Sequence, residues 1–157
     1  MKNLINKIFS FSDNLNNKTL SFEKLKQKKS ILKLFSSIQN YSNDSEIRYV
    51  GGCIRKILNN ETVEDIDLAV NIDPKECIKA LIASNIKFFE TGIEHGTITA
   101  IIDEDKFEIT SLRKDIKTFG RRAQVSFTKD WYEDASRRDF TINSIYSDIN
   151  GNLYDPF

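Results

Sequence analysis

Two aspartates one residue apart, Asp65 and Asp67, are the first residues in the chain whose spacing could do chemistry. On a strand, residues i and i+2 share a face, so both carboxylates point one way while Ile66 and Leu68 enter a core. Adjacent anions repel, and a divalent cation is the usual compensation. An all-oxygen donor set favours Mg²⁺, which often takes only one or two carboxylates and completes its shell with substrate phosphates. Glu108, in Lys106-Phe107-Glu108-Ile109-Thr110, points away from Phe107 and Ile109, and completes an acidic triad if its strand neighbours the first. Gly51-Gly52-Cys53-Ile54-Arg55 reads as a strand-to-helix turn. Its glycines let backbone approach an anion closely, and Arg55 could add a bidentate phosphate contact. In Arg137-Arg138-Asp139-Phe140-Thr141-Ile142-Asn143, Asp139 and Asn143 are four apart and share a helix face with Arg138 beside them. That set can grip a ribose hydroxyl and a phosphate together. Taken singly, each motif also fits an ordinary turn, a solvated surface or a surface salt bridge.

The elements that must position these groups follow from periodicity. Ser21 is a plausible N-cap, and Phe22, Leu25, Leu32, Phe35 and Ile38 predict a helix over about 21 to 40, preceded by a shorter one. Ile47 to Val50 reads as a strand running into Gly51-Gly52, followed by a short helix with Ile54, Ile57 and Leu58 on one face. Ile66, Leu68 and Val70 alternate as a half-buried strand. Asp73-Pro74 caps a helix to about Ser84. Strands are expected near 86–90, 97–102 and 106–112, with Asp103 to Asp105 as a hairpin turn. Residues 113–130 lack a clean period and read as a mobile basic loop around Gly120. A helix over about 131 to 144, a strand near 145–149 and a turn at Gly151 complete the order. The class is α/β, a small mixed sheet with helices on one side.

Composition narrows the function classes. The chain has 157 residues, enough for one domain with a real core. Basic and acidic residues both number 23, so any nucleic-acid surface must be a local patch. Cys53 and Cys77 lie far apart, and His95 is the single histidine, which argues against a zinc site or a disulfide scaffold. No apolar run has the length of a membrane span, and the N-terminus lacks a signal-peptide core, so the expected location is cytoplasmic.

In their order, Gly51-Gly52-x-x-Arg55, Asp65-x-Asp67, Gly92-Ile-Glu-His-Gly-Thr97, Glu108-Ile-Thr110, Arg137-Arg-Asp-Phe-Thr-Ile-Asn143 and the ending Leu153-Tyr-Asp-Pro-Phe157 resemble one family. They are similar to the head of the class II tRNA nucleotidyltransferases (CCA-adding enzymes) and the related bacterial poly(A) polymerases, over roughly residues 47 to 157. The resemblance implies a polymerase beta-like nucleotidyltransferase head, with a mainly antiparallel sheet flanked by helices. Residues 1–46 are then an N-terminal helical segment packing on the head, and 47–157 the head itself, cut off before the neck, body and tail. Asp65 and Asp67 would hold catalytic Mg²⁺, with Glu108 the third carboxylate. Gly51, Gly52 and Arg55 would cradle the triphosphate, and Arg138, Asp139 and Asn143 would recognise the ribose and orient the nucleotide.

The implied activity is template-independent transfer from CTP or ATP to RNA 3′ ends: tRNA CCA addition or repair, with polyadenylation as the alternative. Gly120 to Arg122 falls in the family's flexible loop, and His95 reads as structural. Phe119 with Arg121-Arg122, and Trp131-Tyr132, interleave aromatics with base, open to RNA stacking or to simple packing. One departure stands out: the family usually has Asp after the motif arginine, where this chain has Lys56. The resemblance implies that base selection and most RNA grip belong to a downstream helical domain, whose motifs are not expected within these residues. The chain is therefore expected to be a fragment, half of a split enzyme whose other chain supplies that domain, or a non-catalytic nucleotide- or RNA-binding module.

Overall fold

The computed structural model describes residues 21–119 and 122–157. The shorter helix expected before Ser21, the loop residues Gly120 and Arg121, and the side chains of Phe119 and Arg122 lie outside the described residues.

Most elements form where hydrophobic periodicity predicts them. Strands β1 (Ile47–Val50), β2 (Asp67–Val70), β3 (Lys87–Gly92), β4 (Thr97–Ile102) and β5 (Asp105–Ser111) alternate with helices α1 (Lys29–Gln39), α2 (Gly52–Leu58) and α3 (Pro74–Ala83). The helix expected over 21–40 is interrupted at Lys28, which has extended backbone. Its apolar stripe is also shifted: Leu32 is exposed, while Ile31 and Leu34 are buried. Helix α3 begins with a full capping box, in which Glu76 N–H donates to Asp73 and Asp73 N–H to the Glu76 carboxylate.

Two departures bear on the site. Residues expected to be a mobile loop instead form a hairpin, β6 (Arg113–Phe119) with β7 (Arg122–Phe127), a two-stranded sheet of its own. The helix expected over 131–144 stops early: α4 spans Trp131–Ser136, and a 3-10 turn covers Thr141–Ser144. Between them Phe140 takes φ 61°, a value a bulky residue rarely adopts. Asp139 and Asn143 therefore do not share a helical face. Strands β8 (Tyr146–Ser147) and β9 (Leu153–Tyr154) end the order, with Gly151 between them at φ 85° and its Cα packed on Phe22, where a Cβ would approach ring atoms at 3.0 Å.

Among the described residues the main sheet has seven strands in the order β3-β4-β5-β2-β1-β8-β9. All neighbours are antiparallel except β2 and β5, which run parallel. One face carries the main core, where Phe22, Leu34 and Phe35 meet Tyr49, Leu68, Phe107 and Ile109. Tyr49 sits between Phe22 and Phe35, with ring centroids 6.3 and 5.0 Å away. The strands alternate, so their intervening residues face the other way. Val50, Ala69 and Tyr146 there join Leu112 and Ala135 in a smaller cluster, which sets α4 against the opposite face. Helices thus lie on both sides of the sheet, and the second face is only partly covered. Its open part carries Asp67 and Glu108.

Candidate active site

The open face is built by strand parity. In β2 and β5, Leu68, Phe107 and Ile109 point into the main core, so Asp67, Glu108 and Thr110 point the other way. The parallel ladder places Asp67 directly opposite Glu108, and the antiparallel one places Thr99 opposite Glu108 and Thr97 opposite Thr110. Asp65, just before β2, lines the same surface as Asp67, while Ile66 is buried behind it.

Two adjoining hollows share Asp67 and Glu108. One, of about 210 Å³, is bordered by Asp65, Thr99 and Lys106. The other, of about 290 Å³, is walled by Gly51 on one side and by Arg113, Arg137 and Arg138 on the other. A larger hollow of about 350 Å³ lies between residues 21–28 and 60–63, but among the described residues Glu61 is its one carboxylate. The shared carboxylates, not size, single out these two hollows as the candidate site.

Burial, and then the charge of Asp65, raise the Asp67 carboxyl above its ordinary value, while Arg138 and Lys56 pull it down. Lys56 thus acts as a local counter-charge to the acidic pair. Among the described residues no three His, Cys, Asp or Glu side chains converge as a ready metal cage. The all-oxygen pair of Asp67 and Glu108, with Asp65 beside it, still suits Mg²⁺, which completes its shell from phosphates and water.

The glycine turn closes over this carboxylate. Gly51 has φ 71°, and a Cβ built on Gly51 or Gly52 would stand 3.9 or 3.8 Å from Asp67 Oδ2. A side chain at either position would occupy the space beside the acid at ordinary contact distance, and Gly51 also needs the left-handed backbone. Arg55, in α2, is exposed, and its Nη1 donates to Asn143 Oδ1 at 3.0 Å. Asn143 Nδ2 in turn donates to the Asp139 carbonyl at 3.1 Å. The structure thus joins Arg55 and Asn143, while the Asp139 side chain is exposed on the bend before the 3-10 turn.

The arginine wall is organised by a residue the motifs did not single out. Asp134 is fully buried, and its Oδ1 accepts from Arg137 Nη2 at 2.7 Å and Arg137 Nε at 3.0 Å. Its Oδ2 accepts from Arg138 Nε at 3.0 Å and the Tyr146 hydroxyl at 2.7 Å. The backbone N–H of Arg113 adds a bond at 3.1 Å. Burial alone would raise the Asp134 carboxyl, but Arg138, Arg137 and the tyrosine outweigh it and hold it below its ordinary value. One carboxylate thus orients two guanidiniums, and the wall keeps a surplus of positive charge facing Asp67 and Glu108. The i+3 and i+4 spacing from Asp134 to Arg137 and Arg138 on a helix was the available signal.

The remaining candidates sort into supports. His95 is exposed at its ring, and its carbonyl accepts from Arg113 Nη1 at 2.6 Å. Gly96, at φ 83°, lets Phe127 of the hairpin close onto the sheet. Trp131 packs edge-on against Tyr146 at 5.1 Å and holds Arg48 over its ring at 4.0 Å, a core role. Tyr132 is exposed and meets Phe157 in a tilted ring contact at 5.6 Å. Cys53 is buried below the glycine turn, its thiol pushed up to about 11 by burial, so it is inert.

Comparison with known proteins places this geometry. The poly A polymerase head domain family matches residues 47–157. The chain is 42% identical over 130 residues to the human mitochondrial CCA tRNA nucleotidyltransferase 1, covering 82% of this chain and 29% of that protein. It is 39% identical over 114 residues to the CCA-adding enzyme of Lactobacillus johnsonii, covering 71% and 28%. The fold is similar to the crystal structure of the Bacillus stearothermophilus CCA-adding enzyme in complex with CTP, at TM-score 0.67 and 27% identity over 83% of this chain and 31% of that one. It is also similar to a tRNA nucleotidyltransferase complexed with a primer tRNA and an incoming ATP analog, at TM-score 0.58 and 26% identity over 78% and 34%. The chain spans under a third of the length of these curated relatives. Among the described residues no helix is long and apolar enough to cross a membrane.

Proposed function

Because the chain belongs to the poly A polymerase head domain family, we propose that it is the nucleotide-binding head of a template-independent RNA nucleotidyltransferase that adds CTP- and ATP-derived nucleotides to tRNA 3′ ends. The observation that carries this is the in-register Asp67–Glu108 pair facing an arginine wall across one cleft. Acid on one side suits metal, surplus guanidinium on the other suits phosphate, and a nucleoside triphosphate needs both.

In this reading Asp65 and Asp67 hold Mg²⁺, with Glu108 as the third carboxylate. When bound, Mg²⁺ supplies a lowered pKa for the RNA 3′ hydroxyl and charge neutralisation on the leaving pyrophosphate. The chain's own residues do the positioning. Gly51 and Gly52 leave room over Asp67 for the triphosphate, whose phosphates meet Arg55. Asn143, through its bond to Arg55, ties that arginine to the segment carrying Arg138 and Asp139, which take the nucleotide's ribose and phosphate. Lys56 offsets the acidic charge beside Asp67. No covalent intermediate is needed; catalysis is alignment and charge neutralisation in a partly buried cleft.

The base-reading and tRNA-gripping parts then belong to a downstream helical domain, in the same polypeptide or on a separate chain. The zebrafish, mouse and human relatives are named as mitochondrial, so an organellar location stands beside the cytoplasmic one expected from the sequence. The test is incorporation of labelled CMP and AMP into tRNA lacking its 3′ end, by this chain alone and fused to the downstream domain of a CCA-adding relative. Transfer by the fusion supports the reading. A fusion that folds and binds tRNA yet transfers nothing contradicts it.

A further inference from the structure

We propose that Arg113 is a further phosphate-binding residue of the cleft, taking oxygens of a polyphosphate chain beside Arg137 and Arg138. The inference rests on the nucleotide reading above and names a contact that none of the sequence motifs contains.

Arg113 opens β6 and lines the same hollow as Asp67, Glu108, Arg137 and Arg138. Its backbone is locked on both sides: its N–H donates to Asp134 Oδ1 at 3.1 Å, and its carbonyl accepts from Arg137 Nε at 3.0 Å. Its guanidinium is steered by a neutral group, since Nη1 donates to the His95 carbonyl at 2.6 Å. Among the described residues no carboxylate comes within salt-bridge distance of that guanidinium, because Asp134 spends its oxygens on Arg137, Arg138 and Tyr146. Nε of Arg113 is buried, with no hydrogen-bond partner among the described residues. A buried, charged donor without an acceptor is costly, and native structures usually resolve the cost with a ligand, an ion or water. Burial first, then the nearby Arg137, disfavour the charge of Arg113 and outweigh the pull of Asp115 and Asp134. Both pressures are relieved by an anion that offers several oxygens at once. A polyphosphate chain has that form, and a guanidinium, with five donors in a fixed fork, matches it.

The geometry also makes Arg113 a mechanical link. It begins the hairpin, and its side chain spans from the hairpin to the turn at His95. Occupation of the cleft by phosphate therefore fixes the base of the β6–β7 hairpin against the sheet.

The test is calorimetric titration of inorganic tripolyphosphate into the full chain, without divalent cations, for wild type, Arg113→Gln and Arg113→Lys. Thermal melting is measured alongside. Arg113→Gln keeps a donor for the His95 carbonyl and is expected to weaken binding at least about tenfold, the loss of one charge-assisted contact. Arg113→Lys is expected to recover part of that affinity, because it restores charge without the fork. Wild-type affinity in a folded Arg113→Gln, with or without a lower melting temperature, makes the residue a strut and overturns the inference. If the glutamine variant does not fold, Arg113→Lys decides: unchanged affinity overturns the inference, and a several-fold loss supports it. No binding by wild type would overturn this inference, and leave the nucleotide reading to Mg²⁺-dependent binding of CTP.

Discussion

Asp67 and Glu108 stand opposite each other on neighbouring parallel strands, one residue per strand, on the face that the main core leaves open. This pairing makes an acidic site from residues far apart in sequence. Asp67→Ala and Glu108→Gln are each expected to lower nucleotide transfer by about a hundredfold or more in an active fusion, a loss typical of removing an electrostatic stabiliser. Single-turnover incorporation measures it. Because burial and Asp65 raise the Asp67 carboxyl, its charge is a burden on the empty fold, so Asp67→Asn is expected to raise the melting temperature while it removes activity. Loss of activity together with loss of stability would point to a structural role instead.

Asp134 predicts a different signature. Asp134→Ala leaves Arg137 and Arg138 without their shared partner and is expected to cost about 3 to 5 kcal/mol in denaturant unfolding. The same carboxyl gives a pH dependence. Its folded-state value lies below its unfolded one, so its contribution is complete above about pH 4 and is lost as pH falls through the lower folded value. The stability difference between wild type and Asp134→Asn should therefore shrink in strong acid. A difference that is flat from neutral pH to pH 2 would contradict the assignment.

Gly96 tests the hairpin. A Cβ at this position would meet Phe127 Cε1 at 2.6 Å, and the backbone is left-handed at φ 83°. Gly96→Ala is expected to destabilise by about 1 to 2 kcal/mol. Gly96→Ala with Phe127→Ala should recover the steric part but not the backbone part. Full recovery would mean that backbone conformation contributes nothing.

The Arg55–Asn143 bond is exposed, so its energetic weight should be small and its positional weight larger. Asn143→Ala is expected to change stability by under about 1 kcal/mol, while weakening triphosphate binding several-fold. Calorimetry with CTP and a melting curve separate the two. Unchanged affinity would leave Asn143 as a simple surface contact.

Much of this site was legible in the sequence, for identifiable reasons. Asp67 stands between buried Ile66 and buried Leu68, so period-2 alternation gives its orientation directly, whereas Asp65 lies at a bend before the strand and its orientation is not set by that alternation. Asp73, Pro74 and Glu76 carry the start of α3 in three residues. Glu108 was legible only as parity along β5; its pairing with Asp67 depends on a long parallel crossover that no local pattern encodes. The hairpin was missed because it forms a sheet of its own beside the main one. Ile116 is exposed and Arg113 to Asp115 alternate without an apolar face, so strand periodicity has nothing to register. The end of α4 was overrun because apolar spacing continues through Phe140 and Ile142. In the fold both are exposed, and the backbone bends just after the arginines that share Asp134.

The measurement that tests the central claim most directly is Mg²⁺-dependent binding of CTP and ATP by the chain, with the Asp65→Ala/Asp67→Ala double variant as control. Calorimetry is expected to show wild-type binding that strengthens with Mg²⁺, and a double variant that keeps its fold but loses the Mg²⁺-dependent part. Mg²⁺-dependent binding of equal strength in both proteins would contradict the assignment of these carboxylates to the metal, and with it the account of the site.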